Sequence, residues 1–305
     1  MLRMTTDATS IEAVRQQAIA LLMRHAPADG VHVCDVPGLQ LIRASAPAQP
    51  LPAVYEPGLV LVLQGRKTAT LGTEVLQYDP LHCLLVAMTL LPVGQVTQAT
   101  VTQPYLCLRL HCSPQTLAEL LIETGSAAAG AGAATYPTRG LNLAPVSAEL
   151  LDASLRLLRL LDARQDVPVL APMLRREIFY RVLTGPLGPR LRSLALEHSR
   201  GRRVGRALEL LQERWDQPLR IDELAAAAHM SPSTLHLHFK QLTAQSPLQY
   251  QKQLRLQRAR QMMLSEGLDA ASAAHKVGYE SPSQFSREYR RLFGAPPRTE
   301  VQQLA

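Results

Sequence analysis

The 305-residue sequence has no CxxC pair and no cysteine–histidine cluster at zinc-ligand spacing. Its four cysteines, Cys34, Cys83, Cys107 and Cys112, are scattered. That argues against a zinc finger and a disulfide scaffold, and leaves the cysteines as small core hydrophobes of a reducing compartment. The N-terminus lacks the basic and apolar regions of a signal peptide, since Asp7 and Glu12 precede its short apolar run. No uncharged run reaches membrane-spanning length and hydropathy. The expected location is therefore cytoplasmic.

What is present is a globular composition, 47% hydrophobic, with a net charge of +7. The length suits about two domains. The charge is uneven. Residues 1–200 hold 17 Lys+Arg and 15 Asp+Glu, whereas residues 201–305 hold 15 and 10. Between Lys240 and Arg298 the count is 10 against 4. A basic C-terminal end suits a polyanion partner, although a well-solvated surface accounts for the charge equally well.

Residues 11–24 carry helical apolar spacing in Ile11, Val14, Ala18 and Leu22. From 31 to 112 the texture changes to short apolar runs broken by Pro and Gly: LQLIRA at 39–44, GLVLVLQG at 58–65, KTATLG at 67–72, HCLLVAM at 82–88 and YLCLRLHC at 105–112. The last alternates, which predicts a strand with one face buried and the other different. Many short strands suggest a barrel or sandwich. The Gly/Ala-rich stretch 125–140 reads as a loop, and helices are predicted around 147–161 and 170–184. Domain boundaries are expected at 1–196, with a linker over 197–203 and a helical domain over 204–305.

The strongest signal is internal repetition. SPSTLHLHFKQLTAQSP at 231–247 aligns with SPSQFSREYRRLFGAPP at 281–297. Each copy opens with a serine N-cap and a proline at the first helical position. Each continues with apolar residues at i, i+4 and i+7, which form one buried stripe. Each follows a short Ala-rich helix, at 222–230 and 270–279. A short helix, a tight turn and a capped second helix make a helix-turn-helix unit, so two units are predicted over 222–243 and 270–293. SPLQYQKQLRLQRARQMML at 246–264 is a further helix that could hold them at a fixed distance. Val204, Leu208, Leu211 and Trp215 mark an amphipathic helix ahead of the first unit.

With two such units, the LRLQRAR connector and VGYESPSQFSREYRRLFGAPP, residues 202–298 resemble the DNA-binding domain of the AraC/XylS family of bacterial transcription regulators. The resemblance implies one recognition helix in each of two successive major grooves of double-stranded DNA. Carried over residue by residue, it points to Ser233, His236 and Leu237 as base-reading in the first unit and Ser283, Ser286 and Arg287 in the second. Arg287 could clasp guanine O6 and N7 together; a phosphate contact or a solvated charge is the alternative. Phosphate contacts are expected from Ser231, Lys240, Lys252, Ser281, Arg290 and Arg291, with Arg255 and Arg258 at least as well suited to structural roles. Four departures stand out: Leu237 replaces a common arginine, His238 a usual apolar residue, and His229 and Ala244 common turn glycines. The segment after Pro297 also lacks the usual aromatic-basic ending.

Residues 31–185 resemble the N-terminal domain of one AraC-type subgroup, through PGLQLIRAS, VYEPGLVLVLQGRK, LQYDPLHCLLV, PYLCLRL and LRREIFYRVLTGPLG. The resemblance implies an α+β multidomain chain: a cupin-like β-barrel with helices, then the all-α domain. It also implies a small-molecule effector, a homodimer and a contact with RNA polymerase. Glu56, Arg66 and Arg109 are candidates for orienting a polar effector, with rim charges or a structural ion pair as the alternative. Ile178, Phe179, Val182 and Leu183 could form a dimer face or pack on the barrel. Cupin metal sites need an HxH pair, and the barrel region offers only His32, His82 and His111. The HxH of His236 and His238 lies on a recognition helix, where i and i+2 point apart. No metal, cofactor or catalytic residue is expected. The competing functions are a cupin-type enzyme, a DNA-repair methyl acceptor and an architectural DNA binder without effector control.

Overall fold

The computed structural model describes residues 2–80, 82–112, 114–124, 140–195 and 200–304. The expected Gly/Ala-rich loop, apart from Gly140, and residues 197–199 of the expected linker lie outside them.

The N-terminal part is built on two antiparallel sheets. One has six strands in the order β1 (Gly30–Val33), β2 (Leu39–Ala44), β9 (Tyr105–His111), β4 (Gly58–Gln64), β7 (His82–Val86), β10 (Leu141–Pro145). The other has four, in the order β3 (Leu51–Pro52), β8 (Val93–Gln98), β5 (Arg66–Leu71), β6 (Glu74–Tyr78). β4 reads GLVLVLQ without alternation because both of its faces are covered. Leu59, Leu61 and Leu63 pack towards helices, while Val60 and Val62 join the cluster that holds Ala69, Leu71 and Val96 of the second sheet. β9 departs from the half-buried strand expected of it. Leu106, Leu108 and Leu110 face the helices, and Tyr105 and Cys107 are equally buried on the other side, because β9 lies between β2 and β4 inside the sheet. Two-sided burial turns its alternation into a choice between two cores.

The helical layer comprises α1 (Leu2–His25), α2 (Pro114–Thr124), α3 (Ala148–Arg159), α4 (Val167–Thr184) and α5 (Gly188–Ala195). α4 starts earlier than the sequence suggests, with Pro168 in its first turn and Pro172 inside it. Ile178, Phe179, Val182 and Leu183 are all buried in the core shared with the sheet, which removes them as a dimer face.

The C-terminal part is all-helical: α6 (Arg200–Glu213), α7 (Ile221–Ala227), α8 (Pro232–Thr243), α9 (Pro247–Ser265), α10 (Ala270–Lys276), α11 (Pro282–Phe293) and α12 (Pro297–Leu304). α6 buries Val204, Leu208 and Leu211, as its periodicity requires, and begins within the stretch expected to be linker. The two parts do not stand apart. One buried cluster runs from the second sheet's face through Met88, Leu90 and Leu91 into Leu208, Leu235, Phe239 and Tyr250. Among the described residues, three hydrogen bonds tie the seam: Tyr250 Oη to the Thr89 carbonyl (3.1 Å), Gln253 Nε2 to the Leu91 carbonyl (3.1 Å) and the Gly140 amide to the Leu242 carbonyl (3.2 Å). Among the described residues, no helix is long and apolar enough to cross a membrane.

Candidate nucleic-acid interface and seam cavity

In the first helix-turn-helix unit, Asp222 and Glu223 occupy the first turn of α7, where carboxylates favour the helix dipole. Leu224 and Ala225 turn inward. The chain then turns at His229, whose φ is +51°, and Ser231 caps α8 by accepting from the Thr234 amide at 3.3 Å. Leu235, Phe239 and Leu242 bury one stripe of α8. The opposite face presents Ser233, His236, Leu237 and Lys240 to solvent. Leu237 is 56% exposed, a large apolar side chain on a face otherwise made for water. His238 sits at the edge, half-buried, with Nδ1 at 3.0 Å from Gln241 Oε1. α8 ends at Ala244 in the left-handed region, φ +62°. Both turn positions where glycine is absent are therefore left-handed, as the missing glycines suggested.

The second unit uses the same plan with better-suited residues. Asp269 caps α10, accepting from the amides of Ala271 (2.9 Å) and Ser272 (3.0 Å). The turn runs through Gly278 at φ +78°, where a Cβ would meet the Asp216 carbonyl at 2.7 Å. Ser281 caps α11 through the Gln284 amide (3.3 Å). Phe285, Tyr289 and Phe293 form its buried stripe, with adjacent ring centroids 5.5 Å and 4.4 Å apart. Ser283, Arg287, Arg290 and Arg291 are exposed and Ser286 is half-buried. α11 closes on Gly294 in the left-handed region.

α9 fixes the distance between the units. Ser246 and Gln249 form a full capping box at its start. Arg255 donates to the carbonyls of Trp215 (2.7 Å), Gln217 (3.0 Å) and Gly278 (3.2 Å). It binds carbonyls of the protein, which accounts for it structurally. Lys252, expected at phosphate, is paired with Glu288 of α11 at 3.1 Å and keeps a side chain that is 42% exposed. Burial raises the Glu288 carboxyl, but hydrogen bonds from Tyr279, Gln284 and Lys252 outweigh it and hold the group below the usual range. A residue that motif reading passed over closes the far end. Glu300 on α12 accepts from Arg260 Nε (2.8 Å) and from Tyr289 Oη (2.8 Å), and is itself buried. The signal was there, in a carboxylate where the family pattern differs, but its partners are 40 and 11 residues away.

The three charged candidates of the N-terminal part separate. Arg109 donates to Glu56 at 3.0 Å. Arg66 lies elsewhere, near Asp79 at 3.9 Å, and Asp79 also meets His82 at 2.9 Å. Between the sheets Tyr55, Tyr78, Tyr105 and Cys107 are buried, with Tyr55 Oη and Tyr78 Oη 3.0 Å apart. A cavity of about 310 Å³ lies instead where β4 begins and β7 and β9 end, closed by α6. Glu56, Met88, Thr89 and Cys112 line one side; Gly205, Leu208, Glu209 and Gln212 line the other. Burial pushes the thiols up, Cys34 and Cys83 to about 11 and Cys112 to about 12, so they are protonated at neutral pH.

Comparison with known proteins agrees with this geometry. Residues 35–190 match the AraC-type transcriptional regulator N-terminus family, and residues 224–303 match a helix-turn-helix domain family. The HTH-type transcriptional regulator GbdR of Pseudomonas aeruginosa is 36% identical over 93 residues, 30% of this chain and 25% of its own. The RCS-specific HTH-type transcriptional activator RclR of Escherichia coli is 35% identical over 116 residues, 37% of this chain and 39% of its own. These matches therefore span well under half of the relatives' length. Over the whole fold the chain resembles ToxT from Vibrio cholerae, solved bound to (E)-4-(8-methylnaphthalen-1-yl)but-3-enoic acid, with a TM-score of 0.57 at 10% identity. That match covers 88% of this chain and 98% of ToxT.

Proposed function

The chain belongs to the AraC-type transcriptional regulator family, and from that premise we propose that it is a sequence-specific DNA-binding transcription regulator controlled by a small molecule. The observation that carries this reading is the pair of serine-capped helices, α8 and α11, each with a buried stripe and an exposed polar face, joined by the firmly held α9. A major groove admits an α-helix, and two grooves on one face of the duplex lie roughly 34 Å apart. In this reading Ser233, His236 and Leu237 face bases from α8, and Ser283, Ser286 and Arg287 from α11. Leu237 suits a thymine methyl. Ser231, Lys240, Lys252, Ser281, Arg290 and Arg291 hold the DNA backbone, Lys252 from its pairing with Glu288 at the α9–α11 joint.

The effector reading rests on the seam cavity, whose walls come from both the sheet layer and the DNA-binding helices. That placement couples occupancy to the helices and favours a regulated protein over an architectural binder. Glu56 lines the cavity with Arg109 behind it, whereas Arg66 belongs to a different patch. The division into a sheet-based part and a helical part that opens with α6 (Arg200–Glu213) belongs to the same reading. Dimerisation and a contact with RNA polymerase belong to the same reading as its assembly partners.

Fragments selected from genomic DNA by the full chain supply the operator for the test. Arg287→Ala should relax preference at one base pair, at a cost of about 1–3 kcal/mol. Lys240→Ala should weaken every sequence alike and lower the salt slope by about 1. Unchanged binding by both variants overturns the groove assignment.

A further inference from the structure

The two helix-turn-helix units are held together by more than the length of α9. The apolar cores change over along that helix: Leu254 belongs to the cluster of the first unit and Leu256 to that of the second. Arg255 lies between them, and its guanidinium donates to both sides. Nε reaches the Trp215 carbonyl (2.7 Å) and Nη2 the Gln217 carbonyl (3.0 Å), both in the loop 214–220 that joins α6 to α7. Nη1 reaches the Gly278 carbonyl (3.2 Å), in the turn between α10 and α11.

The α6–α7 loop itself bridges the units. Gln251, one turn before Arg255 on α9, donates to the same Gln217 carbonyl at 2.8 Å. Trp215 packs against both apolar clusters. The Asp216 carbonyl stands so near Gly278 that a Cβ there would lie 2.7 Å from it. A loop of the first unit therefore sits directly against the turn of the second, with Arg255 donating to each. A guanidinium suits that place because its donors leave a rigid plane in fixed directions, so three carbonyls around it are fixed in angle as well as in distance. The Lys252–Glu288 pair, by contrast, ties α9 to α11 through one flexible ammonium.

We infer that Arg255 is a positioning residue for DNA recognition: it pins the first unit's loop to the second unit's turn, sets the separation and relative rotation of α8 and α11, and so makes the chain selective for the spacing of the two grooves as well as for their bases. The inference rests on the two-groove reading given above. Units free to turn about α9 would follow the grooves at several spacings, whereas a pinned pair fits one. A single inserted base pair moves the second groove by roughly 3.4 Å and turns it by roughly 34° about the duplex axis. Hydrogen bonds of 2.7–3.2 Å do not survive a movement of that size.

The test is fluorescence-anisotropy binding of the full chain to the operator selected from genomic DNA, and to the same operator with one base pair inserted between the two contacted grooves. The unsubstituted chain should lose roughly tenfold or more in affinity on the insertion. Arg255→Met should lose roughly tenfold on the original operator and bind the two operators within about threefold of each other. Arg255→Lys should behave like the methionine variant, because it keeps the charge and not the fork. The emission of Trp215, the one tryptophan of the sequence, should move to the red in both variants as the loop loosens. If circular dichroism shows Arg255→Met to be unfolded, Gln251→Leu carries the test, since it removes the other α9 bond to the Gln217 carbonyl and should lower the insertion penalty. A penalty undiminished in the folded variant overturns the inference. So does an equal loss on both operators, with a salt slope lower by about 1, that Arg255→Lys restores, because Arg255 is then a phosphate ligand. An unsubstituted chain that binds both operators equally overturns the pin and leaves the DNA-binding reading standing. A chain that selects no fragment overturns that reading and the pin with it.

Discussion

Ala244 and His229 occupy left-handed backbone with a Cβ attached, at φ +62° and +51°. At the end of α8 the strain yields only a helix cap, since the Ala244 amide still reaches the Lys240 carbonyl at 2.9 Å. Ala244→Gly should therefore stabilise the protein by about 1 kcal/mol, read as a higher denaturant midpoint at constant slope. The outcome is informative because glycine normally destabilises a helix end less suited to it. Arg287 and Lys240 differ at the same scale. Both are exposed cations, but Arg287 lies two turns into α11 on the outward face, whereas Lys240 lies near the end of α8. Their different expected effects on sequence preference follow from position along the helix, not from charge.

At the scale of elements, the two helix-turn-helix units share a plan and differ in how they are closed. The second unit is locked by the Arg260–Glu300–Tyr289 group, in which the carboxylate is buried and takes bonds from both partners at 2.8 Å. Burial, followed by the hydrogen bond to Glu300, holds the Tyr289 phenol well above its ordinary range. Glu300→Ala removes the shared acceptor and leaves a mostly buried guanidinium unpaired. A loss of about 3 kcal/mol is expected. Amide exchange should locate the loss in α10–α12 and spare α7 and α8. Equal loosening of both units would show that α9 transmits the damage along its length. Lys252 belongs to the same scale. Its pairing with Glu288 follows from the packing of α9 on α11, and no reading of α9 alone supplies Glu288 as its partner.

At the scale of the whole molecule, the seam decides how the parts communicate. Tyr250, Gln253 and Leu242 make three hydrogen bonds to Thr89, Leu91 and Gly140, each more than 100 positions away, and one apolar cluster runs underneath them. Tyr250→Phe keeps the ring against Phe239 and removes the hydroxyl, which strands the Thr89 carbonyl. The expected cost is about 1–3 kcal/mol for buried groups left unsatisfied. Calorimetry should show the single unfolding transition broadening into two as the parts uncouple. A transition that stays single at an unchanged midpoint would mean that the apolar cluster alone holds the seam.

The helix-turn-helix repeat was legible because everything that makes it is local: serine caps, a proline after each, apolar residues at helical spacing and turn positions within a few residues. The buried stripe of α11 could be read from Phe285, Tyr289 and Phe293 before any contact was known. The strands were legible as strands for the same reason, yet the burial of β9's second face was not, because alternation cannot say what covers that face. Glu56, Arg66 and Arg109 looked alike as charges within apolar runs, and only the register of β4 and β9 brought Glu56 to Arg109 and left Arg66 with Asp79. The sequence by itself determined the two helix-turn-helix units and the sheet-forming half, since periodicity and capping act over a few residues. Tertiary structure alone decided the seam, its cavity and the ties from Tyr250, Gln253 and Leu242, because hydrogen bonds between residues over 100 positions apart leave no periodic trace in either segment.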